Sequence, residues 1–183
     1  LCEAGHDVTV HIERGPLMQD VCEADAARYV RANFPPSAAA VRLGGDLPPA
    51  DVAIATGWTT AAAVARAPGI GTRLYFVQDH EPSFQSLSAD YVAAAQTYRL
   101  GLGHITIGPW LAELIEARFG GRARAVDFGV DHAIYHPGAE PPPARPRVVF
   151  YARAPTPRPG RAPRLGALAR ARAEHPAVDV AGY

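Results

Sequence analysis

Tyr75-Phe76-Val77-Gln78-Asp79-His80-Glu81-Pro82 is the stretch that decides the fold: an apolar run breaks into three ionisable side chains and a proline. A strand buried in an open α/β sheet reads as continuous apolar residues. Ligands gather in the crevice beyond the carboxyl ends of such strands. Two carboxylates and an imidazole at that position predict one wall of an active-site cleft.

The rhythm on either side agrees. Strands are expected at 8–12, 40–43, 52–56, 73–78, 104–107, 124–128, 147–151 and 177–181. Helical spacing falls between them, at 23–32, 59–66, 90–102 and 109–119. Tyr91, Ala94, Ala95, Tyr98 and Leu102 share one helical face. Thr59 is a candidate N-cap, and Pro109 with Gly120-Gly121 frames the last of these helices in the favoured order. Strand–helix alternation predicts parallel βαβ units and an α/β, Rossmann-like sheet.

The chain opens on Leu1-Cys2-Glu3-Ala4-Gly5, which reads as the end of a helix closed by Gly5. It stops in a strand-like segment, so a fragment cut inside two α/β units is expected. Residues 139–146, with Pro141-Pro142-Pro143, read as a semi-rigid spacer. The expected organisation is a first Rossmann-like domain over 1–138, lacking its first strand, and a linker at 139–146. The opening β-α-β of a second domain follows over 147–183.

Composition narrows the function classes. Eighteen basic and 18 acidic residues cancel among 183, so bulk charge offers nucleic acid or anionic membrane no attraction. Every basic residue is arginine, so any phosphate contact falls to guanidinium or backbone. Cys2 and Cys22 fit neither a disulfide framework nor close metal-ligand spacing. A reducing cytosol follows. No apolar run reaches the length of a membrane span.

Three places could carry chemistry. Asp79, His80 and Glu81 supply a general base if burial and neighbours tune them; equally, Asp79 or Glu81 could simply cap the next helix in a solvated loop extended by Ser83, Phe84, Gln85 and Ser86. Gly108, between Ile107 and Pro109-Trp110, puts a strand directly onto a helix N-terminus, as Gly57 does before Trp58. Such turns suit an anion or plain close packing. Arg153, Arg158 and Arg161 follow the strand after the spacer, where guanidinium groups could clamp a diphosphate or stand solvated. Trp58 and Trp110 read as core anchors, and His132 and His136 make a poor metal face beside Pro137.

Taken together, Tyr75–Pro82, Thr97-Tyr98-Arg99-Leu100-Gly101 and Ile107–Glu113 resemble the N-terminal domain of a GT-B glycosyltransferase. Asp127–Asp131, Tyr135-His136-Pro137, Phe150–Arg153 and Thr156-Pro157-Arg158 extend the resemblance along the chain. The set is similar to glycosyltransferase family 4, most of all to bacterial rhamnosyltransferases of surface rhamnan glycans. That resemblance implies two facing Rossmann-like domains, sugar transfer with retention, and no bound metal or other cofactor. It implies a nucleotide-diphosphate sugar as donor, a glycan or lipid-linked glycan as acceptor, and no nucleic acid. It also implies a cytoplasmic location, with peripheral association at the inner membrane face. By the same resemblance Asp79, His80 and Glu81 are catalytic, and Arg153 and Arg158 bind the donor diphosphate. Gly57 and Gly108 stand on the acceptor side. A non-catalytic Rossmann-like module for glycan or nucleotide is the alternative, and a nucleotide-sugar epimerase a third reading.

Overall fold

A computed structural model describes residues 1–15, 18–34, 39–127, 129–138, 145, 147–150, 161–175 and 179–182. The chain is α/β, with parallel sheets flanked by helices in the Rossmann-like manner. In order come β1 (Thr9–Ile12), α1 (Glu23–Asn33), β2 (Ala40–Leu43), β3 (Ala50–Ala55), α2 (Trp58–Arg66) and β4 (Ile70–Val77). They are followed by α3 (Ala89–Thr97), β5 (Gly103–Ile107), α4 (Pro109–Phe119) and β6 (Arg122–Val126). β7 (Arg147–Phe150), α5 (Arg161–Glu174) and β8 (Asp179–Gly182) close the order. β1 pairs with β2, β3 through β6 form one four-stranded sheet in sequence order, and β7 pairs with β8. The ladders β1–β2, β3–β4, β5–β6 and β7–β8 are parallel, as helical crossovers require.

Two compact units divide the chain, Leu1–Tyr75 and Phe76–Tyr183. In the first, α1 lays Ala26 and Val30 on Val41 of β2, with Val10, Ile12 and Leu43 alongside. β4 begins three residues earlier than the apolar run announces, because Ile70 pairs with Ala50. Gly69 makes the entry: its φ is +69°, and an added Cβ would sit 2.9 Å from Pro49 Cβ. The N-cap of α2 is Gly57, not Thr59. Thr60, not Thr59, supplies the capping side chain: its Oγ1 accepts the Thr56 and Gly57 N–H groups, each at 3.3 Å, and donates to the Gly57 carbonyl.

In the second unit, α4 runs over the expected residues and closes on Gly120 at φ +68°, the left-handed cap glycine supplies freely. Leu111 and Ile115, one turn apart, are buried, as is Ala94 of α3. α3 is shorter than its apolar spacing suggests and ends at Thr97. Tyr98 and Leu102 are nevertheless buried beyond it. Trp110 departs from expectation: it is 51% exposed. At the second residue of α4 it precedes Leu111 by one position, roughly 100° around the helix, so helical phase turns the indole off the Leu111–Ile115 stripe. Trp58 is half-buried. Among the described residues, no helix is long and apolar enough to cross a membrane.

Ile115→Ala empties a fully buried site and is expected to destabilise by about 2–5 kcal/mol. Glu116→Ala, on the exposed side of the same helix, is expected to leave the denaturant midpoint nearly unchanged.

Candidate functional site

Beyond Val77 the chain turns through Gln78, Asp79 and His80 into a single 3-10 turn, Glu81–Phe84. Pro82 supplies the fixed φ that starts such a turn. Asp79 accepts the His80 N–H on Oδ1 at 2.7 Å, which tightens the bend. Asp79 and His80 are half-buried, and Glu81 is only 8% exposed. The second unit therefore withdraws Glu81 from solvent and leaves its two predecessors at the surface.

Tyr98 holds the loop from behind. Its hydroxyl accepts the Glu81 N–H at 3.2 Å and makes a longer 3.5 Å contact to the Asp79 carbonyl. The His80 imidazole stacks on the phenol ring, 6.2 Å between centroids at 24°. The phenol also neighbours Phe119, at 4.9 Å, and His104, at 6.1 Å edge-on. His104 is the second residue of β5 and Phe119 the last of α4. The loop is thus tied to where β5 begins and α4 ends.

Electrostatics follow from this packing. Burial pushes the His80 imidazole below its ordinary value, and the nearby Arg118 guanidinium lowers it further, while Asp79 pulls the other way. Its Nδ1 lies 2.6 Å from Ser83 Oγ. The result is a neutral, oriented imidazole whose second nitrogen meets no partner among the described residues. Such a group accepts a proton from a hydroxyl. His104 is also held below its ordinary value by burial, against the opposing effect of the Arg122 carbonyl bonded to its Nδ1 at 3.2 Å. Burial, with the Glu81 and Asp79 charges behind it, drives the Tyr98 phenol far up, so it stays a neutral hydroxyl.

Asp79, His80 and Glu81 thus share one hydrogen-bonded loop. Gly108 stands at the far end of β5 from His104, roughly 13 Å along the strand. It caps α4 at φ +80° without a side-chain bond. Gly57 caps α2 in the first unit. Arg153 and Arg158 lie outside the described residues. Tyr98 is the functional residue whose part the sequence understated. Its place on the apolar face of the helix expected at 90–102 marked it as buried, but not which loop its hydroxyl would hold. Among the described residues, no three His, Cys, Asp or Glu side chains gather as metal ligands would.

Residues 41–108, from β2 to the end of β5, match the family model described as WsaF, N-terminal domain. The O-antigen biosynthesis protein RfbC of Myxococcus xanthus is 39% identical over 135 residues. Those residues are 73% of this chain and 11% of that protein, so the chain spans about a tenth of the length of this relative. No solved structure matches the chain.

Tyr98→Phe removes the acceptor of a buried N–H and is expected to cost about 1–3 kcal/mol. Faster hydrogen exchange at the Glu81 amide would report it. His80 and His104 bind protons less readily folded than unfolded. Their stabilising contribution is therefore complete above the ordinary histidine value near 6.5 and declines as pH falls below it. In an NMR titration both are expected to titrate below that value, with His80 moving upward in Arg118→Gln.

Proposed function

We propose that this chain is part of a retaining glycosyltransferase of GT-B architecture acting in bacterial surface-polysaccharide synthesis. The observation that carries the reading is the 39% identity to a protein named for O-antigen biosynthesis. The match of residues 41–108 to the WsaF N-terminal domain model supports it. In this reading residues 1–138 form the acceptor-side domain, 139–146 the linker, and 147–183 the start of the donor-binding domain. The sugar, rhamnose foremost, leaves a nucleotide-diphosphate donor for a glycan or lipid-linked glycan at the cytoplasmic face of the membrane. No metal ion or other cofactor is required.

The residues divide the labour by their chemistry. The bond between the anomeric carbon and the diphosphate oxygen breaks, and the acceptor oxygen takes its place. Negative charge grows on the leaving diphosphate, where Arg153 and Arg158 supply the fixed positive charge that favours it. His80, neutral and held by Ser83 and Tyr98, takes the acceptor's proton or positions its hydroxyl. Asp79 fixes the bend that presents the imidazole, and Glu81 keeps the loop seated. Gly57 and Gly108 are the acceptor-side glycines that the family resemblance implies.

The test uses the natural full-length product containing these residues, with a panel of nucleotide-sugars and a polysaccharide acceptor. Arg153→Ala is expected to lower turnover by about two to three orders of magnitude with an unchanged circular dichroism spectrum. His80→Ala is expected to lower it by about two orders or more. Undiminished turnover in Arg153→Ala would refute the donor assignment. A protein that binds glycan yet ignores every nucleotide-sugar in calorimetry would be the non-catalytic module instead.

A further inference from the structure

A groove of about 380 Å³ opens in the second unit, lined by Tyr98, Arg99, Phe119, Gly120, Gly121 and Arg122. It sits where β5 and β6 begin, since Gly103 and Arg122 are the first pair of that ladder and Ile107 and Val126 the last. Gly108 is at the opposite end. An added Cβ at Gly120 would meet nothing within 4 Å, so the groove is open to solvent over the end of α4.

Two cations line it, Arg99 and Arg122, and Arg118 directly precedes the lining residue Phe119. Arg99 lies over the Phe119 ring, 5.4 Å from Cζ to centroid, and its Nη2 donates to the Arg118 carbonyl at 2.9 Å. Arg118 belongs to the last turn of α4, and Arg122 opens β6. All three are exposed. The ion pairs among the described residues join Arg28 to Asp25 and Arg42 to Glu23, and involve none of the three. The carboxyl end of α4 contributes about half a negative charge, which offsets only a fraction of the two guanidinium groups at the lining. A surplus of that size beside a groove favours an anion. Arg99 is already stacked and bonded, so little rotamer freedom remains for it to lose when its other N–H groups engage one. A single carboxylate would take up only part of the surplus, whereas a multiply charged phosphate-class anion matches it.

We propose that this groove binds a phosphate-class anion, foremost a diphosphate, carried by a soluble ligand or by a lipid headgroup. The inference rests on the arginines and the groove alone and stands independently of the transferase reading.

Calorimetry of inorganic pyrophosphate against the natural full-length product tests it. A saturable step is expected in the wild type, weakened about tenfold in Arg122→Gln, the loss of one charged hydrogen bond. Arg99→Gln is expected to act likewise, with its melting temperature measured because Arg99 also caps α4. Arg31→Gln, an exposed change on α1, is expected to keep the step. Sedimentation with phosphatidylcholine vesicles, with and without phosphatidylglycerol, separates the sources. Capture by the anionic vesicles that is lost in Arg122→Gln assigns the headgroup; pyrophosphate binding without capture assigns a soluble ligand. Absence of binding to both probes overturns the proposal, as does an Arg122→Gln protein that binds like the wild type, or an equal loss in Arg31→Gln.

Discussion

A buried phenol must place its hydroxyl, and in this chain the placement organises the second unit. Tyr98 satisfies its oxygen with the Glu81 N–H. Its ring fills the space between His80, His104 and Phe119. One side chain thereby ties the loop after β4, the end of α3, the start of β5 and the end of α4. Leaving a buried polar group unpaired costs about 1–3 kcal/mol. The loop geometry and the aromatic packing are therefore held by a single constraint and cannot drift apart.

The same packing sets the charge balance. Burial favours neutral imidazoles at His80 and His104, while Arg99, Arg118 and Arg122 stand exposed nearby in the same unit. A cation beside a half-buried histidine deepens the preference for the neutral form. One end of the unit thus offers a neutral proton acceptor, and the adjoining groove offers positive charge. Two different demands on a ligand are met by residues far apart in sequence, His80 on the one hand and Arg99 and Arg122 on the other.

Much of this was legible beforehand. β2 and α4 fall on the expected residues, and the other strands and helices given expected bounds lie close to them, because apolar periodicity and Gly/Pro punctuation act locally. α3 is the exception and stops at Thr97 rather than 102. The misses share a cause. β4 starts at Ile70 because β3 recruits it through Ala50. Gly57 displaces Thr59 as a cap because the Thr60 hydroxyl turns back onto the backbone. Trp110 is exposed because its phase on α4, not its hydrophobicity, decides which way the indole points. At the candidate site the sequence put Asp79, His80 and Glu81 together but gave the three no ranking.

Sequence alone determined the α/β alternation, the turn after Val77 and the adjacency of its three ionisable residues, since each follows from neighbours along the chain. Only tertiary structure decided that Glu81 is withdrawn while His80 stays at the surface, and that Tyr98 holds them both. It also decided that Arg99 and Arg122 line one groove. Burial and electrostatic surplus depend on residues some twenty positions apart meeting in space, which no local pattern encodes.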